Sequence, residues 1–171
     1  MTKINFLLLI GFLLVLPACV SSVDRLENAA PYSYNGEKYQ KVVLTIREDA
    51  TDDLDDIIRF DQDELVRMIE KNMEVKGLID ANSPKIVKIE ITDIRVRSTF
   101  NAFMWGFMAG NDHIEGDISL NGKNPPPLHI FHVSASYALG GLMGFKETRM
   151  GWLYEEFAEL TLQEILGKKP S

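Results

Sequence analysis

The segment Lys85–Arg97 places the tightest limit on the fold. Ile89 and Ile91 point to one face of an extended chain, and Ile94 and Val96 take the same role after a change of phase at Asp93. Alternation of this kind marks a strand buried on one face only. A one-residue change of phase is what a β-bulge leaves in a sequence. Such a strand is not stable alone; it needs paired neighbours and a helical layer over its apolar face.

The rest of the chain supplies both. Tyr39–Arg47 alternates through Val42, Leu44 and Ile46, His113–Leu120 through Ile114, Ile118 and Leu120, and Leu128–Tyr137 through Leu128, Ile130, Val133 and Ala135. Between the first two strands, Asp61 reads as a helix N-cap with Glu64 in capping-box position. Leu65, Met68, Ile69 and Met73 fall on one helical face, and Gly77 is a natural stop. A second helix is predicted from about Gly151 to Leu166, with Leu153, Phe157, Leu160, Thr161 and Ile165 inward and Glu155, Glu156 and Glu159 elsewhere. Gly167-Lys168-Lys169-Pro170 closes it. The order β-α-β-β-β-α predicts a two-layer α+β domain, its helices covering one face of a mixed sheet. One right-handed crossover joins the first two strands, and the others pair as antiparallel neighbours.

The N-terminus reads differently. Met1-Thr2-Lys3 is a short basic head, and Ile4–Leu16 is apolar apart from Asn5 and Gly11. That run falls short of the roughly 20 residues a spanning helix needs and suits a signal peptide. Pro17 breaks it. The chain's single cysteine, Cys19, follows two residues later; an unpaired thiol in an exported protein calls for an explanation. Leu16-Pro17-Ala18-Cys19 resembles the bacterial lipobox. The resemblance implies cleavage after Ala18, a thioether-linked diacylglycerol on Cys19, and acylation (palmitate among the chains) of the new amine. Several acyl chains make such anchoring effectively permanent. Val20 stands where an aspartate would retain such a protein elsewhere, which implies the outer membrane with the domain in the periplasm. The expected organisation is therefore signal peptide 1–18, lipidated cysteine and tether 19–37, one α+β domain 38–167, and a tail 168–171.

Charge narrows the partners. The formal net charge is −7, from 18 basic and 25 acidic residues, and loss of Lys3 with the leader makes it more negative. An acidic domain repels phosphate backbones, so nucleic acid is excluded as a partner class, and anionic membrane surfaces do not attract it.

Two segments stand apart. Ser98–Asn111 contains Phe103, Met104, Trp105, Phe107 and Met108 among glycines and small residues. Ser136–Trp152 contains Leu142, Met143 and Phe145 among Gly140, Gly141 and Gly144. Long apolar loops are costly in water, so they pack on each other, dock a partner protein, or dip into a bilayer. The candidate interaction surface is Phe103, Trp105, Phe107, Met108, Leu142, Met143 and Phe145.

The strand Ile89–Arg97 leading into Phe103-Met104-Trp105-Gly106-Phe107-Met108-Ala109-Gly110, the strand with Gly116-Asp117, the turn with Gly122-Lys123, the second glycine-rich apolar stretch and a closing helix form one pattern. It resembles the small bacterial lipoproteins grouped as a domain of unknown function, the 4410 type. It is similar more loosely to periplasmic β-α-β-β-β-α lipoprotein domains such as those of the curli secretion channel and of penicillin-binding-protein activators. The resemblance covers about residues 38–166 and implies an envelope accessory or assembly protein with no catalytic residues to carry over.

Catalytic and metal motifs are weak. His129 and His132 are three apart on a strand and point to opposite faces. His113 can approach one of them across the hairpin near Asp112 or Glu115, although hydrogen-bonded histidine is the simpler reading. Asp53 and Glu64 have calcium-loop spacing, but Ile57 and Ile58 occupy the places of a ligand and a glycine, which excludes an EF-hand; a looser divalent site or a solvated acidic loop are the other readings of Asp49–Glu64. No Gly-x-Ser-x-Gly elbow or phosphate-binding loop occurs. No cofactor is implied. The expectation is a non-catalytic, membrane-anchored interaction or assembly module whose partner is another envelope protein or a second copy. A binding module for a lipid or peptidoglycan fragment, in a cleft between helix and sheet, and a hydrolase with a dispersed site are the alternatives.

Overall fold

The structure, a computed structural model, describes residues 21–25, 32–52, 59–97, 111–121, 129–137 and 146–168. The elements in chain order are β1 (Ser22–Arg25), β2 (Val42–Ile46), α1 (Gln62–Val75), β3 (Ile86–Arg95), β4 (Asp112–Asn121), β5 (His129–Tyr137) and α2 (Lys146–Ile165). They build the expected α+β fold, with one mixed sheet of strand order β1-β5-β4-β3-β2. β2 and β3 pair parallel, as a crossover through α1 requires, and the other pairs are antiparallel.

Local signals account for the elements. Asp61 accepts a hydrogen bond from the Glu64 amide at 2.9 Å, and Gly77 leaves α1 with φ of 69°, the left-handed conformation that favours glycine at a helix end. Leu65, Ile69 and Met73 are fully buried. In β3 the register slips between Ile91 and Asp93, so Thr92 is the extra residue of a bulge. Ile91 and Thr92 are consequently both buried before Ile94 resumes the inward face. The loop after β2 closes this bulge: Arg47 donates from its amide to the Ile91 carbonyl and from Nη2 to the Thr92 carbonyl, and the Ala50 carbonyl accepts from Ile94.

The helices lie on one face. Val87, Ile89 and Ile91 of β3, Ile114, Ile118 and Leu120 of β4, and Phe131, Val133 and Ala135 of β5 are buried beneath them. Gly116 sets the distance to α2. A Cβ there would stand 3.1 Å from both the Phe157 ring and the Glu90 carbonyl, so the absence of a side chain seats Phe157 on the sheet. Phe157, Ala158 and Thr161 of α2 are at 0% exposure.

Several boundaries differ from the sequence reading. The expected tether 19–37 contains β1, which pairs with β5 from Ser22↔Ser134 to Arg25↔Phe131; four mixed residues carry too little alternation to announce a strand, and its burial comes from β5 and α2. Tyr39 makes only an isolated bridge to Ile79, so β2 is shorter than Tyr39–Arg47. Ile46, expected inward, is 37% exposed at the sheet edge. α2 starts at Lys146, before Gly151. Burial of Arg149 and Met150 outweighs the roughly 1 kcal/mol that an interior glycine costs a helix.

Candidate functional site

The inward stripe of α2 runs through positions 149, 153, 157, 160 and 164, a helical spacing whose first and last members, Arg149 and Glu164, are charged and buried. Buried charge persists where it is paired and hydrogen-bonded, and both ends meet that condition.

At the first end, Asp112 at the start of β4 stands between two guanidinium groups. Arg149 Nη1 donates to Asp112 Oδ2 at 2.7 Å, and Arg97 donates to Asp112 Oδ1 from both its amide and Nε at 3.0 Å. Arg149 Nη2 donates to the Arg97 carbonyl at 2.8 Å. Side-chain exposure is 4% for Arg97 and 0% for Asp112 and Arg149. The cluster therefore rivets the end of β3, the start of β4 and the first turn of α2. Asp112, considered above as a neighbour of a metal-binding histidine, is a buried strut instead.

At the other end, Glu164 accepts from Arg25 Nε at 2.7 Å and Nη2 at 3.1 Å, and its Oε1 lies 2.6 Å from His129 Nε2. The Tyr32 ring stacks on His129 with centroids 4.2 Å apart, and its hydroxyl donates to the Ile165 carbonyl at 2.8 Å. Burial pushes the Tyr32 hydroxyl up to about 12, and the hydrogen bond to Glu164 raises Arg25 above its ordinary value. This cluster fastens β1 and the segment after it onto the domain.

The remaining histidines occupy the face of the sheet without helices. His113 Nε2 lies 2.7 Å from Asp93, so its partner is a carboxylate on β3 and not a second histidine. His132 Nδ1 lies 2.8 Å from Asp117, and its Nε2 lies 3.7 Å from Glu115. The Ser134 hydroxyl donates to Glu115 at 3.1 Å and not to the imidazole, so Ser134, His132 and Asp117 do not form the nucleophile–base–carboxylate relay that acyl transfer uses. Among the described residues, no group of three or more His, Cys, Asp or Glu side chains is arranged to hold a metal ion.

Cys19, Ala18, Phe103, Trp105, Phe107, Met108, Leu142, Met143 and Phe145 lie outside the described residues, as does Asp53. Their flanks are described, and these converge. Arg97 and Asp112 bracket residues 98–110 and are bonded to each other. Tyr137, where residues 138–145 begin, pairs with Asp112 and packs its ring against Trp152 with centroids 5.0 Å apart. The Ser21 hydroxyl, just before β1, accepts from the Ser136 amide at 3.2 Å. One end of the sheet thus gathers the chain after Cys19 and both ends of each apolar segment.

The charged network was not singled out from the sequence. A usable signal existed, since Arg149 and Glu164 extend the apolar stripe of α2 by one helical step each way. It is hidden at Arg149 by the expected helix start near Gly151.

A one-sided mixed sheet of this order, closed by a buried ionic strut where its apolar segments attach, defines an α+β domain. The chain belongs to the family described as "Domain of unknown function (DUF4410)", whose model matches residues 25–141. No curated protein matches it. Among solved structures it is similar to PelC from Paraburkholderia phytofirmans, described as a dodecamer, at 8% and 9% identity in two crystal forms. The TM-scores are 0.48 and 0.47, and each match covers 88% of this chain and 100% of the PelC chain. It is also similar to a Xanthomonas campestris protein described by the family model DUF330, at 11% identity and TM-score 0.49, covering 84% of this chain and 90% of that one.

Proposed function

We propose that the chain is a lipid-anchored periplasmic protein of the outer membrane. Its domain works without catalysis, as an interaction and assembly module of the cell envelope. The observation that supports this is the docking of β1. Ser22 is already zipped to Ser134, and three residues of extended chain span at most about 11 Å. With Cys19 acylated, the domain is held against the bilayer by the sheet end that gathers Ser21, Arg97, Asp112 and Tyr137. The two apolar segments attach at that end, so a partner reached through Phe103, Trp105, Phe107, Met108, Leu142, Met143 or Phe145 is met at the membrane surface.

Incorporation of labelled palmitate, lost on Cys19→Ser, tests the anchor. The module reading is tested by purifying the chain from cells with Trp105→Ser and Phe107→Ser. The expected result is loss of a co-purifying envelope protein or of self-association with an unchanged circular-dichroism spectrum. Loss of the folded spectrum would mean that these residues are core, and the docking reading would fall.

A further inference from the structure

α2 carries a second stripe that the core does not use. Trp152, Glu155, Glu156 and Glu159 stand at i, i+3, i+4 and i+7, along one helical face. With Ser21 and Tyr137 on the neighbouring sheet end they line an open groove of about 520 Å³. The Tyr137 and Trp152 rings meet there at an interplanar angle of 43°.

The charges in this groove are unbalanced. Glu155 and Glu156 are exposed and pair with no basic side chain among the described residues, and Glu159 takes only the Gln163 amide nitrogen at 3.0 Å. Glutamates three and four apart on a helix repel each other, which disfavours the helix unless a cation sits between them. Three carboxylates also repel an anion and make a poor bed for a hydrocarbon chain. A cation over aromatic faces, with carboxylates to accept its hydrogen bonds, meets every condition.

We propose that this groove binds the ammonium group of a zwitterionic phospholipid headgroup. The choice of a lipid source rests on the anchored reading above: Ser21 in the groove wall is two residues from Cys19, which brings the groove to headgroup level. The ammonium enters between the rings and the carboxylates, and the lipid phosphate stays outside, away from the glutamates. Headgroup capture fixes how the domain stands on the membrane, which an acyl anchor alone does not.

The two tryptophans of the chain make the test direct. The full processed chain, labelled with 5-fluorotryptophan in uncharged maltoside micelles, gives two fluorine resonances, assigned with Trp105→Phe. Phosphatidylethanolamine is expected to move the Trp152 line saturably, and phosphatidylglycerol to leave it in place. The triple variant Glu155→Gln, Glu156→Gln, Glu159→Gln is expected to keep its lipid-free line position, showing an intact fold, and to weaken the response at least about tenfold. A Trp152 line that ignores phosphatidylethanolamine, or follows both lipids equally, overturns the proposal. A line that follows free ethanolamine but not the lipid assigns the groove to a soluble amine and overturns the headgroup source. Palmitate incorporation is measured on the same preparation. A palmitoylated chain with an unresponsive line loses the groove alone; a responsive chain without palmitate loses the anchor alone.

Discussion

The two ends of α2 bury charge by opposite means. At Arg149 every member is enclosed: Asp112 is sealed between two buried guanidiniums. At Glu164 one partner has a way out, since Arg25 is 40% exposed at its side chain. The first arrangement makes a rigid joint between β3, β4 and α2. The second holds β1, the piece nearest Cys19, by a bond that water can reach. The rigid joint stands at described residues that flank both apolar segments.

The largest effect is expected at Asp112. Asp112→Ala removes the buried carboxylate that Arg97 and Arg149 share, a mechanism that costs about 3–5 kcal/mol, to be read from the midpoint of urea denaturation. A loss below about 1 kcal/mol would mean that water reaches the cluster and that the two ends are alike. Glu164→Gln is expected to cost less, about 1–2 kcal/mol, because Arg25 can turn to solvent. Its signature is local: amide exchange in Ser22–Arg25 rises while exchange in β3 and β4 does not. Equal losses from the two substitutions would erase the distinction.

Tyrosine shows where the two ends agree. Tyr154, one turn from Arg149, is 1% exposed and accepts a hydrogen bond from the Asp61 amide at 2.8 Å. Burial pushes its hydroxyl up to about 12, as it does for Tyr32 at the Glu164 end. The ordinary value is near 10. Between pH 10 and 12 the unfolded chain therefore loses the proton while the folded chain keeps it. The native state binds more protons, so stability falls as pH rises through this window and is fully present below it. For Tyr154 alone the fall is about 2–3 kcal/mol. Tyr154→Phe and Tyr32→Phe are each expected to flatten the alkaline limb of a stability–pH profile. A limb unchanged in Tyr154→Phe would mean that its hydroxyl ionises as freely as in water.

Much of this was legible in the chain itself, and the exceptions share a cause. The alternation in Lys85–Arg97, the phase change near Asp93 and the capping box at Asp61 are local patterns, and local geometry realises them. β1 was not legible, since Ser22–Arg25 becomes a strand through β5 and the Arg25–Glu164 contact, more than a hundred residues away in sequence. The joint at Asp112 failed for the same reason. Arg97, Asp112 and Arg149 look like surface charges one by one, and only the antiparallel return of β4 beside β3 makes them a unit. The groove at Trp152 was half legible: the glutamates were read as outward, while the aromatic wall comes from Tyr137 across the layer boundary.

The smallest effect is expected where the same chemistry is left in water. Arg47 Nε donates to Asp49 at 2.5 Å, with the two side chains 49% and 63% exposed. That hydrogen bond holds the Asp49 carboxyl below its ordinary value. A depressed carboxylate stabilises the fold above its unfolded value and loses the contribution as pH falls through the folded one. At this exposure solvent screens nearly all of it. Asp49→Asn is therefore expected to leave the urea midpoint unchanged at pH 7, at pH 4, and in salt of about 0.1 or about 1 M, where the Debye length is about 10 Å and about 3 Å. Arg47 also serves the Thr92 carbonyl at 2.7 Å, so it is the aspartate, which has no second task among the bonds described, that isolates the ion pair. If Asp49→Asn shifted the midpoint as far as Glu164→Gln, burial would not be the variable that ranks these charges. The ordering of the two ends of α2 would then need another cause.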